Sequence, residues 1–419
     1  MKEQKKITAK ELQAKQDRLS DIHTEAMEHY EASYAAERSE RDLCLEDQQF
    51  AFVPGSQWSN DATQARNDRP RFEINKISGA VNNVIGTQRT NRISLKVRPT
   101  NDSHKEVADV YAGLVRNIEN TSNFKEIKDA AFKESSSGGF GGWHVTTQYA
   151  EDGFDQEIMI KAIPSAASSI YYSPSATDLL KRDSDWFMVT EDVSKTWFNK
   201  RYPDATTSSL AANSTNSSTD EWQSRNTIRV ADYWVKEPTI KELALLTNGD
   251  VIELTDKTKT VLDELAAKGV TVVKTRKSHT HKVVMYKVSA GQVLEGPFDW
   301  AGKHIPVVPV FGYTVWINGQ HYYKGIVRDA KDPQRVYNYA TSQMIETSSL
   351  SPKDPYWMTP TQAKGHEHGL KTFNSTNRPF MFYNTDPEAP GPPVRTGAPS
   401  VQQALVQQVQ QADMDVQST

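Results

Sequence analysis

The sequence predicts an α+β protein in which long helices flank a mainly antiparallel sheet. Three observations predict it. Apolar residues recur at three- and four-residue steps over residues 8–49 and 103–134, and again near the C-terminal end. Between residues 144 and 313 that period gives way to short alternating runs punctuated by turn residues. Residues 352–398 then hold eight prolines and many aromatic rings between two helical stretches, which reads as a compact, turn-rich module rather than a linker.

Taken in order, residues 8–49 read as a polar helix carrying Leu12, Leu19, Ile22, Met27, Tyr30 and Tyr34 on one face. That face either packs on the chain's own core or forms an arm against a neighbouring subunit. Residues 54–99 combine a Gln57–Trp58 pair, an Arg69–Pro70 break, Asn75-Lys76-Ile77 and a helix-like run ending in Gln88-Arg89-Thr90-Asn91-Arg92. The 103–134 stretch places Val107, Val110, Tyr111, Leu114, Val115 and Ile118 on one helical face and ends at a Ser/Gly cluster before Trp143. Strands are expected at 144–150, 156–163, 186–191, 227–236, 250–255, 270–274, 282–288 and 306–313. The Ser/Thr/Asn tract at 205–220 is too polar to offset chain entropy and reads as a flexible loop. Asp332 is a good N-cap with Pro333 in the first helical position, so a helix is expected from there to about Leu350, stopped by Ser351–Pro352. From Ser400 a Gln-rich helix begins with Val401, Leu405, Val409 and Ala412 on one face. It reaches Thr419 without a capping glycine or a basic last turn, which is read as a chain that continues in the natural protein.

Composition narrows the classes. The chain has 419 residues, enough for two to four domains or one elongated subunit. Only 37% are hydrophobic, but nine Trp, fourteen Phe and sixteen Tyr supply large buried areas. That balance suggests a thin, extended molecule or one that buries surface against copies of itself. A net charge of −4 argues against tight, sequence-independent nucleic-acid binding, which needs a basic excess. It leaves room for a conduit through which a duplex slides, because each strong phosphate contact would hinder movement. The single Cys44 excludes a disulfide framework and a Cys-rich zinc site, with a reducing cytoplasm as the default. The charged N-terminus lacks the apolar core of a signal peptide, and no run approaches a membrane span, so no membrane role is expected.

No stretch of the sequence carries a recognisable catalytic signature. The stretch from Gly296 to His304 has five residues between its glycines and a histidine where a P-loop needs Ser or Thr; it reads as a turn between strands. Gly138–Gly142 lacks the third glycine of a dinucleotide fingerprint and reads as a tight helix-to-strand turn. His366-Glu367-His368 and His279-Thr280-His281 could each offer two rings to a metal, but in a chain with ten histidines such pairs arise by chance and read as solvated or interface residues. Cys44 lies among carboxylates, which disfavour a thiolate, and no GxSxG occurs. Arg89, Arg92, Lys96 and Arg98 lack the aromatic partners of a single-strand groove, so ion pairing at helix ends is the simpler role. No catalytic, cofactor or metal residue is assigned.

In their order along the chain, several of these stretches resemble the portal, or head-to-tail connector, proteins of short-tailed bacteriophages. The resemblance rests on residues 54–99, Ser137–Trp143, Thr190–Lys195 with Arg201–Asp204, Pro306–Gly312, Arg328–Tyr339, Ser351–Trp357, Asn377-Arg378-Pro379 and Tyr383–Asn384. It implies a phage portal fold with an α/β wing, an α-helical stem hairpin and a small clip module, the C-terminal crown and barrel being absent from this chain. The ranges implied are an N-terminal helical arm at 1–49, the wing at 50–327, the first stem helix at 328–350, the clip at 351–398 and the start of a second stem helix at 399–419. Asp332, Pro333 and Arg335 would open the stem helix. Lys353, Tyr356, Trp357, Arg378 and Phe380 would form the clip's partner-binding tip, although such rings also suit the core of a small module. The implied partners are a ring of twelve copies, terminase, head-to-tail adaptors, capsid and scaffold proteins, and double-stranded DNA passing weakly through the channel. The implied place is the virion's portal vertex, with assembly in the host cytoplasm. From another class stands a nuclease or hydrolase whose site lies in a missing C-terminal part; ATP hydrolysis or DNA cleavage by the purified chain would favour it.

Overall fold

The computed structural model describes residues 9–92, 95–99, 105–149, 153–205, 227–247, 249, 251–254, 258, 271–350, 356–372, 380–395 and 403–418. They group into two compact units, one of Met1–Gln48 with Asn83–Ile326 and the other of Gln49–Asn82 with Val327–Thr419.

The first unit is built on two antiparallel sheets. One has the order β2-β1-β9, from β1 (Phe140–Tyr149), β2 (Gln156–Ala162) and β9 (Val307–Phe311). The other has the order β3-β4-β5-β7-β8, from β3 (Ile170–Tyr172), β4 (Trp186–Ser194), β5 (Thr227–Leu246), β7 (Val272–Ser289) and β8 (Val293–Trp300). A short β6 (Val251–Glu253) pairs with β5, a short helix α7 (Lys195–Arg201) follows β4, and β10 (Tyr313–Ile317) with β11 (Gln320–Lys324) forms a separate hairpin. The long helix α1 (Ala9–Phe52) lays Ala26 and Tyr30 against Tyr171, Trp186, Met188, Tyr233 and Tyr286. Its apolar face is therefore spent on the chain's own sheet. Cys44, from the same helix, is buried in a second cluster with Phe140, Ile170, Tyr172, Phe187, Trp234 and Tyr323.

Several elements differ from expectation for identifiable reasons. The 103–134 stretch is two helices, α4 (Lys105–Thr121) and α5 (Phe124–Ser137), broken where Asn123 takes the left-handed conformation at φ 51°. The glycine cluster is a turn only at Gly138 and Gly139. Gly141 and Gly142 lie inside β1, where a Cβ would stand 2.2 Å from the Ala131 carbonyl oxygen and 2.5 Å from Ile170 Cδ1, respectively. Close packing on that strand of α5, and of Ile170 at the start of β3 just after α6 (Ala166–Ser169), requires the missing side chains. Gly296, expected in a turn, sits within β8. The expected runs at 270–274, whose first residue lies outside the described ones, and 282–288 fall in one strand, because Arg276–His281 pairs with Pro238–Leu243 in a ribbon that buries none of these residues. A ribbon with no buried face gives little apolar alternation to be read.

One ionic group lies in the heart of this unit. The Arg41 guanidinium is 2.6 Å from Glu37 and donates to the carbonyls of Ala167 at 2.8 Å and Ile170 at 2.6 Å. Tyr172 donates to the other Glu37 oxygen, and the Tyr171 ring lies 4.5 Å from the guanidinium carbon. On β11, His321 is buried, stacked on Trp316 at 4.6 Å, and neither ring nitrogen has a hydrogen-bond partner among the described residues. Burial first, and the nearby Lys181 cation second, lower its pKa to about 4. The unfolded chain therefore binds this proton first as pH falls. Stability from the neutral ring is complete above about pH 6.5 and is lost progressively towards pH 4, by on the order of 2 kcal/mol. In His321→Phe the acid limb of the stability–pH curve should flatten in that window, as measured by urea unfolding at successive pH values.

The second unit contains α2 (Asn60–Ala65), α8 (Ile326–Leu350), α9 (Pro360–Ala363), α10 (Glu367–Thr372) and α11 (Gln403–Ser418). Its two-stranded sheet is formed by β12 (Tyr356–Trp357) and β13 (Val394–Arg395). α3 (Ile77–Thr90) and the last turn of α1 carry residues of this unit too. The expected helix start is corrected here. α8 begins at Ile326, so Asp332 is not its N-cap and Pro333 lies inside it. Without an N–H, Pro333 forfeits the ladder bond to the Asp329 carbonyl, a loss of roughly 3 kcal/mol in a helix interior. Buried Val327 and Ala330, three residues apart on one face, favour the two earlier turns. Asp332 is instead an exposed residue 3.3 Å from Arg335.

Candidate functional site

In the second unit, the stretch from Gln57 to Lys76 is docked along a single face of α8. Gln334, Asn338, Ser342 and Glu346 recur every four residues and therefore form one row. The facing chain is extended over residues 70–76, and its alternate backbone N–H groups meet successive members of that row. Lys76 donates to Gln334 Oε1 at 3.1 Å, Ile74 to Asn338 Oδ1 at 3.0 Å and Phe72 to Ser342 Oγ at 3.0 Å. The match is geometric. Four helical residues rise about 6 Å and two extended residues span about 6.7 Å, so side chains of the helix can stand in for a β-strand edge. At the end of the row, Arg66 reaches Glu346 at 2.6 Å and lies over the Tyr339 ring.

Further bonds lock this arrangement. Gln334 Nε2 donates to the Ile74 carbonyl at 2.7 Å, and Asn338 Nδ2 donates to Gln57 Oε1 at 2.7 Å. Gln57 in turn donates to the Phe50 carbonyl, while Asn75 donates to that of Ala51. Asn338 thus serves three partners while fully buried. Asn338→Leu keeps the volume but strands the Ile74 N–H and the Gln57 and Gln334 amides. We expect a loss of about 2 kcal/mol in this unit, seen as faster amide exchange at Phe72, Ile74 and Lys76.

Beside the row, Trp58, Ala62, Val336, Tyr339, Ala340 and Gln408 line an open, mostly apolar groove of about 300 Å³. Arg335 lies at its edge, with its guanidinium carbon 5.3 Å from the Phe50 ring centroid. Of the three stem residues singled out from the sequence, Asp332 and Arg335 form an exposed pair and Pro333 sits between them on α8. None of the three contributes to the row. The row itself escaped the sequence reading, although four polar residues at four-residue spacing in one helix were its visible signal.

The turn-rich module is organised by Gln362. Thr359 and Gln362 form a capping box at the start of α9, and buried Gln362 donates to the carbonyls of Ala389 and Gly391. Trp357 lies on β12 opposite Val394 and is largely exposed, as are Phe380 and Phe382. These three rings are therefore not this chain's internal core, whereas Tyr356 is half-buried. Phe380 and Phe382 pack edge to face at 5.5 Å and help line an open cavity of about 370 Å³ with His366 and Leu370. Lys353 and Arg378 lie outside the described residues, as do Ser351–Pro352 and nearly all of the 205–220 tract.

Other sequence candidates resolve into structural roles. Arg89 and Arg92 both pair with Asp129, at 2.9 and 2.6 Å, so these two cations brace α3 against α5 within the first unit. His281 Nε2 is 2.7 Å from the Lys303 carbonyl oxygen. Among the described residues, no group of three or more His, Cys, Asp or Glu side chains is arranged to hold a metal ion. No described helix is long and apolar enough to cross a membrane.

Comparison with known proteins gives two findings. The sequence matches the family model of phage P22-like portal proteins over residues 27–419. It is also 28% identical, over 422 residues, to a portal protein of Acyrthosiphon pisum secondary endosymbiont phage 1, covering 95% of this chain and 58% of that relative. The chain thus spans less than two thirds of the length of the curated relative it matches.

Proposed function

Because the chain belongs to the phage P22-like portal protein family, we propose that it is a structural portal subunit, forming a ring-shaped DNA channel at one capsid vertex. The ring serves genome packaging with terminase, then tail attachment through adaptor proteins, then genome ejection. The observation that carries this role to particular residues is the docking of the Gln57–Lys76 stretch along α8. The part of the sequence with the strongest portal resemblance is the part that holds the helix proposed as the first stem helix.

In this proposal residues 1–49 are the N-terminal arm, 50–327 the wing, 328–350 the first stem helix, 351–398 the clip and 399–419 the start of the second stem helix. Twelve copies close the ring, and capsid and scaffold proteins hold it at the vertex of the virion after assembly in the host cytoplasm. Double-stranded DNA passes with weak, non-specific contact, as the net charge of −4 favours. The subunit itself is not an enzyme; ATP hydrolysis belongs to the terminase. Exposed Trp357 and Phe380 supply the clip surface, with Lys353, Tyr356 and Arg378 as its further members.

Two measurements test this. Negative-stain images of the purified chain at high concentration should show rings with a central hole, while uniform monomers at every concentration would count against the ring. Trp357→Ala with Phe380→Ala should weaken terminase or adaptor binding by roughly tenfold in co-sedimentation and leave rings intact. Loss of rings with partner binding unchanged would move these residues to the subunit interface.

A further inference from the structure

Within the first unit, β10 and β11 form a hairpin that pairs with no other strand among the described residues. Its base is fixed by backbone packing. Gly312, just before β10, donates to the Gly139 carbonyl at 2.8 Å, and a Cβ on Gly139 would stand 2.7 Å from Lys324 Cα. Cross-strand partners share a face, so Trp316 with His321 and Thr314 with Tyr323 make the inward one. Tyr313, Ile317 and Tyr322, on the other face, are exposed. What holds the far end is the packing of Trp316, His321 and Tyr323 against Phe140, Phe311 and Lys181. That packing contains an electrostatic conflict. Lys181 is 2% exposed, donates to the Ala176 carbonyl at 2.9 Å, and sets its Nζ 4.7 Å from the Trp316 ring and 5.7 Å from the Phe311 ring. His321 stacks on the same Trp316 and meets the same Phe311 edge-on at 4.9 Å, with both ring nitrogens unbonded. A neutral imidazole tolerates the ammonium there; an imidazolium would put two cations against the same two rings.

We propose that the β10–β11 hairpin is an acid-released latch: a proton on His321 sets a second cation beside Lys181, and the far end of the hairpin lifts off Phe140 and Phe311 while its glycine-packed base stays in place. The carboxylates around the pair are committed elsewhere. From α1 come Glu37, held by Arg41 and Tyr172, and Glu40, which acts on Tyr323. From the turn that carries Lys181 come Asp178 and Asp183, both exposed and bonded to backbone N–H groups. From α5 comes Glu134, which accepts from the N–H groups of Ser165 and Ala166. Lys324 of β11 lies at the fixed base, over Tyr313. Burial keeps Tyr172 and Tyr323 as neutral phenols, and β9 and β10 carry no charged residue. None of these groups hydrogen-bonds His321. The direction follows from proton binding. The docked ring takes its proton near pH 4, whereas a released, hydrated ring takes it near the ordinary 6.5. The docked form binds the proton less readily, so falling pH favours release. Between pH 7.5 and pH 4.5 the ratio of released to docked hairpin should rise about a hundredfold.

Amide hydrogen exchange of the whole chain tests the latch, read by mass spectrometry as protection factors at pH 7.5 and pH 4.5. Protection over β10 and β11 should fall about a hundredfold on acidification, because an undocked two-stranded hairpin is barely stable alone. Protection of β1 and β5 should hold. His321→Phe keeps a ring in place and cannot take the proton, so its hairpin should stay protected at both pH values. In Lys181→Met the fall should shrink without vanishing, since burial still disfavours the imidazolium. No fall in the parent chain would overturn the latch. An even fall across the whole first unit would also overturn it, as that is global acid unfolding rather than release of one element. A fall in His321→Phe as large as the parent's would assign the effect to other groups and overturn it too. Should His321→Phe fail to fold, Lys181→Met decides: a fall as steep as the parent's would remove the repulsion on which the latch depends.

Discussion

Arg41→Met is expected to destabilise the first unit by about 4 kcal/mol, the largest effect of any single substitution considered. The guanidinium is buried beside Glu37, donates to two carbonyls, and stacks on Tyr171. Methionine fills the space but leaves a carboxylate and two carbonyl oxygens unmatched in the interior. Burying an ion pair is itself costly, so most of the loss comes from the orphaned partner rather than from attraction given up. Arg41→Met with Glu37→Gln should therefore recover part of the deficit, and a double-mutant cycle read by denaturant unfolding would quantify it. Equal effects of the single and double variants would mean that the carbonyl contacts, not the ion pair, dominate.

Glu346→Gln should cost the second unit about 3 kcal/mol. Arg66 is almost wholly buried, its Nε has no hydrogen-bond partner among the described residues, and its charge is met by Glu346 at 2.6 Å. Arg69 approaches the same carboxylate at 3.5 Å. A neutral amide keeps a hydrogen-bond acceptor but leaves a buried cation uncompensated. Hydrogen exchange by mass spectrometry should show opening confined to residues 60–76 and α8, with amides of the first unit unchanged. Uniform protection across both units would show that Arg66 reaches another anion or water when Glu346 is neutralised.

These two sites differ in how far the sequence revealed them. The amphipathic period of α1 was plain in Leu19, Ile22, Met27 and Tyr30, and its packed face is where that period places it. Arg41 and Glu37, four residues apart in a helix crowded with charges, looked like ordinary surface. Only the fold brings Ala167, Ile170 and Tyr172 to them. The start of α8 was misplaced because Asp–Pro is a strong local capping signal, whereas burial of Val327 and Ala330 is a tertiary effect that propensity does not register. The stretch 54–99 was recognisable as a signature but not as a mechanism. Its Gln57, Arg66 and extended backbone take meaning from Asn338 and Glu346, which lie more than 270 residues away in sequence. The apolar face expected over 103–134 is divided on α4: Val107, Val110, Tyr111 and Leu114 are exposed, whereas Val115 and Ile118 are half-buried. Periodicity marks a stripe and leaves open how much of it the chain's own packing covers.

As a portal subunit, this chain should sit at one vertex of a capsid. The most direct measurement is cryo-electron microscopy of assembled particles, reconstructed without imposed symmetry, with a small tag on this chain. Tag density should appear at a single vertex, in a ring around the DNA axis. Tag density spread over all vertices, or particles that package DNA with none of this chain present, would contradict it.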